Sequence, residues 1–460
     1  MSTPATALAV DLGSSSGRIL AGTLAGGALD VREIHRFTHR ADERGGRLVW
    51  QLDHIAEQVV AGLRQAVALV DNPVSVSVDT WGVDFVALDA DGNLVGELRT
   101  YRDERTTRTQ QQFRARLGDR EFFAATGVAP ATINTANQLF ALGLEQPDLT
   151  ASIHTVLLLP DYFTWLLTQR PCWSPSIAST SGLCQPGARR WSPEVFDALG
   201  LNRAWVGDLT DELSVAGRCT LDGLEMLQVV RAGAHDTACA VTSLPARDEP
   251  SFFLSCGSWS VLGLTTDTPL LSDDAFASGL TNEVCADGRI RALLNITGLW
   301  TLQECQRDWA ASGDEHRIGE LLSAADAAPT LGVTFDVDDP RLMVPGHMVQ
   351  RVRDLLAERG ASRVDQGQLV RAVLESLAER YARGVAELSR ASGVKPERLV
   401  VVGGGARNDL LLDLTAAATG LPVVRGPVEA SALGSLLGQF RALGMIGVAE
   451  SQTLISDSVV

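Results

Sequence analysis

"AVDLGSSSGR", residues 9–18, sets a loop of small residues directly behind an apolar run that ends in an acid. The flanks decide what kind of loop this is. Residues 7–12, ALAVDL, read as a strand, and residues 18–24, RILAGTL, read as another, rich in β-formers. AGGA then supplies turn residues, and LDVREIHRF reads as a third strand. The loop therefore joins two strands of a hairpin. A Walker A loop needs GxxxxGK[ST] between a strand and a helix, whereas here three residues separate Gly13 from Gly17 and Arg18 follows. The GxGxxG spacing of dinucleotide-binding folds is not met either. Small residues let backbone N–H groups approach an anion, as in a nest. They also make a plain hairpin turn, and the loop alone leaves both readings open.

Composition narrows the classes. At 460 residues the chain is too long for one ordinary core, which predicts two domains. Hydrophobic residues make up 45% and charged residues 21%, as in a globular protein. The net charge of -17, with no Lys/Arg cluster, argues against a nucleic-acid partner. Lys395 is the one lysine, so an anionic ligand must be held by backbone N–H groups, a metal ion or scattered arginines. Cysteines stand at 172, 184, 219, 239, 256, 285 and 305, without CxxC or zinc spacing, which suits reduced thiols in the cytoplasm. MSTPATALAV lacks the features of a signal peptide. HTVLLLPDYFTWLLT is cut by Pro160 and Asp161 and is too short to span a bilayer, so no membrane partner is expected. No motif sets an oligomeric state.

Residues 74–79, VSVSVD, alternate with period 2; TWG interrupts, VDFVAL resumes, and DADGN closes with a turn signal, which together predict a second strand pair. Asp79 and Asp84 sit in or beside strands, where acids are disfavoured. With Trp81 and Gly82 between them they could line a sugar pocket, or they could mark a solvent-facing strand end with one core Trp. YRDERT at 101–106 reads equally as a helix start with local ion pairs or as the rim of a polyol site.

AGAHDTACAV at 232–241 places His235 and Asp236 among small apolar residues. Burying a carboxylate is costly without partners. Asp236 or Thr237 could cap the helix that follows, and Asp236 could also be a general base for a substrate hydroxyl. FFLSCGSWSVLGLTTD at 252–267 then repeats the opening plan, with a turn from Ser255 to Ser258, which suggests two copies of one fold. A helix follows with Leu374, Leu377, Tyr381, Val385 and Leu388 at three- and four-residue steps. RLVVVGGGARNDLLLDLTAAATG reads strand, glycine loop, helix, with Asn408 as N-cap. Its glycines suit a flat group lying against backbone, or a tight turn.

In their joint order these segments resemble the FGGY carbohydrate kinases, over residues 7 to about 445. VDTWGVDFV, YRDERT, AGAHDTACAV, GSWSVLG and NITGLWTLQEC resemble stretches of the rhamnulokinase branch of that family. The chain departs from it at Ser14, where Ala is common, at Ser258, where Thr is common, and at INTANQL, which lacks an aromatic near a substrate edge. The resemblance implies an α/β fold of two RNase H-like (actin-like ATPase) domains, 1–243 and 244–460, hinged near residue 243 with a cleft between them. It implies ATP as the nucleotide and Mg²⁺ as the metal, attended by Asp11 through water. Gly13, Ser14, Ser15, Ser16, Gly17 and Ser258 would face the phosphates. Gln303, Gly403 and Gly404 would contact the nucleotide. Gly82, His235, Asp236, Thr237 and Asn295 would hold the sugar, and Asp236 would take the proton. The expected reaction is phosphorylation of L-rhamnulose at its 1-hydroxyl. Alternatives are another ketose or polyol kinase, such as one for L-fuculose or D-xylulose, and a non-catalytic sensor.

Overall fold

The computed structural model describes residues 4–244 and 250–457. Two six-stranded sheets organise it. The N-terminal sheet contains β1 (Ala5–Leu12), β2 (Ser16–Ala25), β3 (Ala28–Thr38), β4 (Pro73–Thr80), β5 (Ser214–Arg218) and β6 (Gln228–Arg231), in the order β3-β2-β1-β4-β6-β5. The C-terminal sheet contains β7 (Ser251–Cys256), β8 (Trp259–Thr266), β9 (Thr281–Val284), β10 (Ile290–Thr297), β11 (Arg398–Val402) and β12 (Val423–Arg425), in the order β9-β10-β8-β7-β11-β12. In each, an antiparallel meander is followed by two parallel strands. The repetition seen in the two hairpins thus extends to the plan of both sheets.

Sequence alternation explains the layers. Along β1, Leu8, Val10 and Leu12 pack on Ile55, Val59 and Leu63 of α1 (Leu52–Leu69). Ala5, Ala7 and Ala9 point to the other face, as a period of two requires. Further along the chain come α2 (Asp236–Thr242), α3 (Trp300–Ala311), α4 (Gln366–Ser392), α5 (Asp409–Thr419) and α6 (Ala430–Ala442). The expected amphipathic helix is α4, with Leu374, Leu377, Tyr381, Val385 and Leu388 all buried. Asn408 caps α5 by accepting the Leu411 N–H at 3.1 Å.

α6 returns to the N-terminal sheet, where Ala432, Leu433, Leu436 and Leu437 cover the alanine face of β1. It also crosses α2 so closely that a Cβ on Gly434 would lie 1.8 Å from the Cys239 carbonyl oxygen. A Cβ on Gly438 would lie 2.6 Å from the Ala232 oxygen.

The second strand pair does not form as expected. β4 is a central strand, parallel to β1 and β6, and Ser75 to Asp79 are buried at every position. Its serines are small enough for a two-sided core. Phe85–Leu88 pairs instead with Thr155–Leu158 in a separate ribbon. Val83 turns the chain between them with φ 67°. The hinge expected near residue 243 adjoins residues 245–249, which lie outside the described residues. No described helix is long and apolar enough to cross a membrane.

Gly434→Ala should destabilise the protein by about 1–3 kcal/mol or more, because backbone cannot yield as a side-chain tip can. Urea unfolding of this variant against Gly143→Ala, whose Cβ meets nothing within 4 Å, checks it. Equal midpoints would contradict the crossing.

Candidate active site

Three strands deliver charges in one row. Asp11 on β1 pairs in register with Arg18 on β2 and with Asp79 on β4. Arg18 donates to Asp11 Oδ2 from Nη2 at 2.8 Å and from Nε at 3.1 Å. Both bonds fall on one oxygen. Arg18 also ion-pairs with Glu429, at the start of α6. Asp79 is fully buried, and neither of its carboxylate oxygens has a hydrogen-bond partner. Ser435 faces it from α6 but lies outside hydrogen-bond geometry. Burial, then Asp11, then Asp236 push the Asp79 carboxyl well above the usual carboxylate range.

His235 and Asp236 follow β6 and join the same end of the sheet. The Thr80 N–H donates to the Ala234 carbonyl at 3.1 Å, and Thr80 bridges His235. The N-cap of α2 is His235, not Asp236 or Thr237: its Nδ1 accepts the Thr237 N–H at 3.0 Å. The neutral ring therefore carries its proton on Nε2. Burial, then the Arg291 charge, hold His235 well below the ordinary histidine range. Its Nδ1 lies 3.2 Å from Asp236 Oδ1, but with a neutral ring this is not an ion pair. With the capping role taken, the Asp236 side chain stays 32% exposed. It accepts the Thr237 hydroxyl at 2.9 Å. Desolvation first, with Asp11 adding, pushes its pKa up to about 7.

Behind this loop lies a buried polar support. Glu212 accepts the Ala234 N–H at 2.8 Å and the Ser176 hydroxyl at 2.6 Å. Arg291 of β10, fully buried, donates to the Ser176 carbonyl at 3.2 Å and to Glu283 at 2.6 Å.

Gly82 faces His235. A Cβ there would come within 2.9 Å of Nε2 and 3.3 Å of the Thr180 hydroxyl, so glycine keeps a niche open at the donor nitrogen. Val83 beside it holds a left-handed backbone that costs a β-branched residue on the order of 1–3 kcal/mol. Its carbonyl accepts from Thr135 at 2.6 Å and Gln138 at 3.1 Å, and its N–H donates to Thr180 at 3.2 Å. Trp81 is buried, and Asp84 is a structural hub rather than a pocket wall. The indole N–H groups of Trp50 and Trp81 both donate to Asp84 Oδ2, at 2.7 and 2.8 Å. Desolvation lifts Asp84 to about 6 against those bonds. His39 stacks on Trp81 at 5.5 Å and donates from Nε2 to the Gly13 carbonyl at 2.8 Å, tying this hub to the first loop. A cavity of about 890 Å³ behind Trp50 is lined by none of Asp11, Gly82, His235 or Asp236. Asn295 pairs with Val261 on the sheet face that meets α2 and is exposed, with no hydrogen bond to His235 or Asp236 among the described residues.

The loops meet different needs. In the first, the Gly13 N–H donates to the Ser16 carbonyl at 3.0 Å, and the Ser15 carbonyl accepts from His39 N–H at 3.2 Å. Ser14, Ser15 and Ser16 are part-exposed. Gly17 is buried, and a Cβ there would strike Phe37 at 2.3 Å, so packing beneath the loop demands this glycine. In the second, the Ser258 hydroxyl donates to Gln303 Oε1 at 2.8 Å. In the third, Gly404 faces open space, whereas a Cβ on Gly405 would lie 2.2 Å from Cys256 Sγ. Gly403 has φ 82°. The glycine loop thus packs onto the strand that leads into Ser258.

The N-terminal-domain model of the FGGY family of carbohydrate kinases matches residues 6–243, and its C-terminal-domain model matches residues 252–443. The chain belongs to the FGGY family of carbohydrate kinases. A rhamnulokinase of Bacteroides thetaiotaomicron is 36% identical to this kinase over 464 residues, covering 98% of this chain and 94% of that protein. A rhamnulokinase of Pectobacterium carotovorum is 36% identical over 443 residues, covering 95% and 88%. Xylulose kinase from Lactobacillus acidophilus superposes with a TM-score of 0.80 over 98% of this chain and 92% of its own, at 16% identity. Glycerol kinase from Plasmodium falciparum with ADP gives 0.78 over 98% and 92%, at 13%. These structures show the two-domain actin-like ATPase fold. The protein is an ATP-dependent carbohydrate kinase.

The structure brings Gly82, His235, Asp236 and Thr237 together, and pairs Ser258 with Gln303. Sequence reading missed Arg18, His39, Thr180, Glu212 and Arg291. The one available signal was Arg18, a cation closing the first loop.

Asp84→Ala should cost about 2–5 kcal/mol, because two buried indole donors lose their acceptor. Thermal unfolding checks this; a loss below about 1 kcal/mol would mean the two bonds contribute little.

Proposed function

We propose that this kinase transfers the γ-phosphoryl group of ATP to the 1-hydroxyl of L-rhamnulose, with Asp236 as general base. The observation that carries the chemistry is the Asp236 carboxylate. It is open to the cleft, poised at about 7, and stands next to a neutral histidine that offers Nε2–H into the Gly82 niche. The sugar rests on relatives named rhamnulokinase at 36% identity over nearly the whole chain.

In this reading His235 Nε2–H donates to a substrate oxygen and, staying neutral, adds no charge that would hold Asp236 ionised at low pH. Asp236 accepts the proton of the 1-hydroxyl. The O1–P bond forms, the bond from phosphorus to the β,γ-bridging oxygen breaks, and ADP leaves. Positioning and charge stabilisation dominate such transfers. Backbone N–H groups of Gly13–Gly17 and the Ser258 hydroxyl serve the phosphates. Gln303 and the Gly403–Gly404 backbone serve the nucleotide, and Thr237 and Asn295 complete the sugar contacts. We assign residues 1–243 to the sugar side and 244–460 to the nucleotide side. The seven described cysteines are all unpaired and buried, which supports a cytoplasmic setting.

Mg²⁺ fits the residues present. Asp79 has two buried oxygens without a hydrogen-bond partner, and Asp11 and Asp236 both raise its pKa, so added positive charge suits this end of the sheet. No described group of three or more His, Cys, Asp or Glu converges to ligate a metal directly, so Asp11 would hold it through water. When bound, it would neutralise charge on the transferring phosphoryl group.

ADP release with Mg-ATP and a ketose panel tests the reading. L-rhamnulose should give the highest kcat/KM, and Asp236→Asn should lower kcat by about 10²–10⁴-fold. Because Asp236 must be ionised, kcat/KM at low Mg-ATP should rise with pH through about 7 and then level off. Preference for another ketose would overturn the sugar and keep the base. A folded protein that releases no ADP with any sugar would sink the proposal.

A further inference from the structure

The chemistry above leaves Arg102, in the YRDERT stretch, without a role. We propose that Arg102 is a positioning residue: a clasp that carries sugar occupancy on one lobe to the Ser258 loop on the other. The inference rests on the sugar and nucleotide sides assigned above.

Arg102 belongs to the N-terminal lobe, and apart from the Tyr101 ring 5.1 Å away its side-chain contacts lie across the cleft. Its guanidinium sits 4.3 Å from the centroid of the Trp300 ring and 5.5 Å from that of Trp259. Its Nη1 donates to the Met343 carbonyl at 3.2 Å. The adjoining Tyr101 hydroxyl accepts the Trp259 indole N–H at 3.2 Å. No described carboxylate pairs with Arg102. Its neighbours Arg99 and Arg105 are by contrast locked onto Asp103 within their own lobe. With the lobes apart, the guanidinium would keep the Tyr101 ring and lose Trp259, Trp300 and the Met343 carbonyl.

The two tryptophans bracket the phosphate loop. Trp259 follows Ser258 directly. The Ser258 carbonyl accepts the Trp300 N–H at 3.2 Å and the Gly298 N–H at 3.1 Å. Gln303, the partner of the Ser258 hydroxyl, stands one turn beyond Trp300 on α3. On the other side, Thr100 and Asp103 tie the Arg102 segment to the ribbon around Leu48 and Trp50, and Trp50 shares Asp84 with Trp81, next to Gly82. A continuous set of contacts thus runs from the Gly82 niche to Ser258, with Arg102 at the crossing.

Coupling between two sites is reciprocal, so sugar should tighten nucleotide binding and nucleotide should tighten sugar binding. The test is ADP affinity by calorimetry, with and without L-rhamnulose, in wild type, Arg102→Ala, Trp300→Leu and the double variant. We expect sugar to tighten ADP binding about tenfold in wild type and less than about twofold in each variant, with ADP affinity in the absence of sugar changed by less than about twofold. The double variant should match the single ones, since both changes break one contact. Undiminished coupling in a folded Arg102→Ala protein overturns the proposal, as does additive loss in the double variant. X-ray scattering with saturating Mg-ADP reads the clasp without any sugar. Arg102→Ala should show a larger radius of gyration than wild type, and identical profiles overturn the clasp. A wild type that turns over no sugar while the scattering difference holds would sink the functional reading alone.

Discussion

Asp11 and Asp79 stand side by side in register on neighbouring parallel strands, and both are buried. Like charges placed so close raise each other's pKa and destabilise the sheet unless something offsets them. Arg18 offsets one, from the strand on the far side of Asp11. Asp79 feels the Arg18 charge only at a distance, and neither of its oxygens has a hydrogen-bond partner. Asp236 then adds a third carboxylate at the same sheet end. The sheet end is thus an anionic floor with one arginine upon it. Burial and the neighbouring carboxylates push Asp79 and Asp236 upward, so positive charge brought to this end would favour their ionised forms.

Close backbone packing keeps this floor rigid. Gly434 and Gly438 bring α6 against the carbonyl oxygens of Cys239 and Ala232, on either side of His235–Asp236. The same helix supplies Glu429 to Arg18 and Gln439 to Ser75 and Leu8. The His235–Asp236 loop, the first strand and α6 are therefore packed into one block. Glu212 and Arg291 support the loop from the opposite side, and Arg291 comes from the other sheet.

Local features were legible in the sequence, and pairings between distant segments were not. Both hairpins, α4 and the Asn408 cap follow from residues within a few positions of one another. The partner of VSVSVD does not. Its alternation is compatible with a hairpin, and only burial on both faces shows it to be a central strand 60 residues removed from β1 along the chain. Asp84 read as a pocket acid or a solvent-facing strand end, and it is neither, because its two indole donors, Trp50 and Trp81, are recognisable only once the chain is folded. Asp236 looked like a cap because an acid at a helix start usually is one; His235 takes that place and leaves the carboxylate free. Of the residues carried over by family resemblance, Gly82, His235, Asp236 and Thr237 come together and Ser258 meets Gln303, whereas the arginines near them have no short motif.

The scarcity of lysine gives these arginines their weight. A kinase with a single lysine must place positive charge by other means, and arginine's planar fork allows two distinct ones. Arg18 uses its fork on carboxylates and ties the first strand pair to Glu429 at the start of α6, a contact that salt weakens because both side chains are partly exposed. Arg102 uses its flat face on indoles and links the lobes through Trp259 and Trp300, a contact that depends on stacking more than on ionic strength. The two arginines therefore hold segments distant in sequence together by forces of different physical origin. Salt that loosens the Arg18 pairs leaves the Arg102 stacking in place.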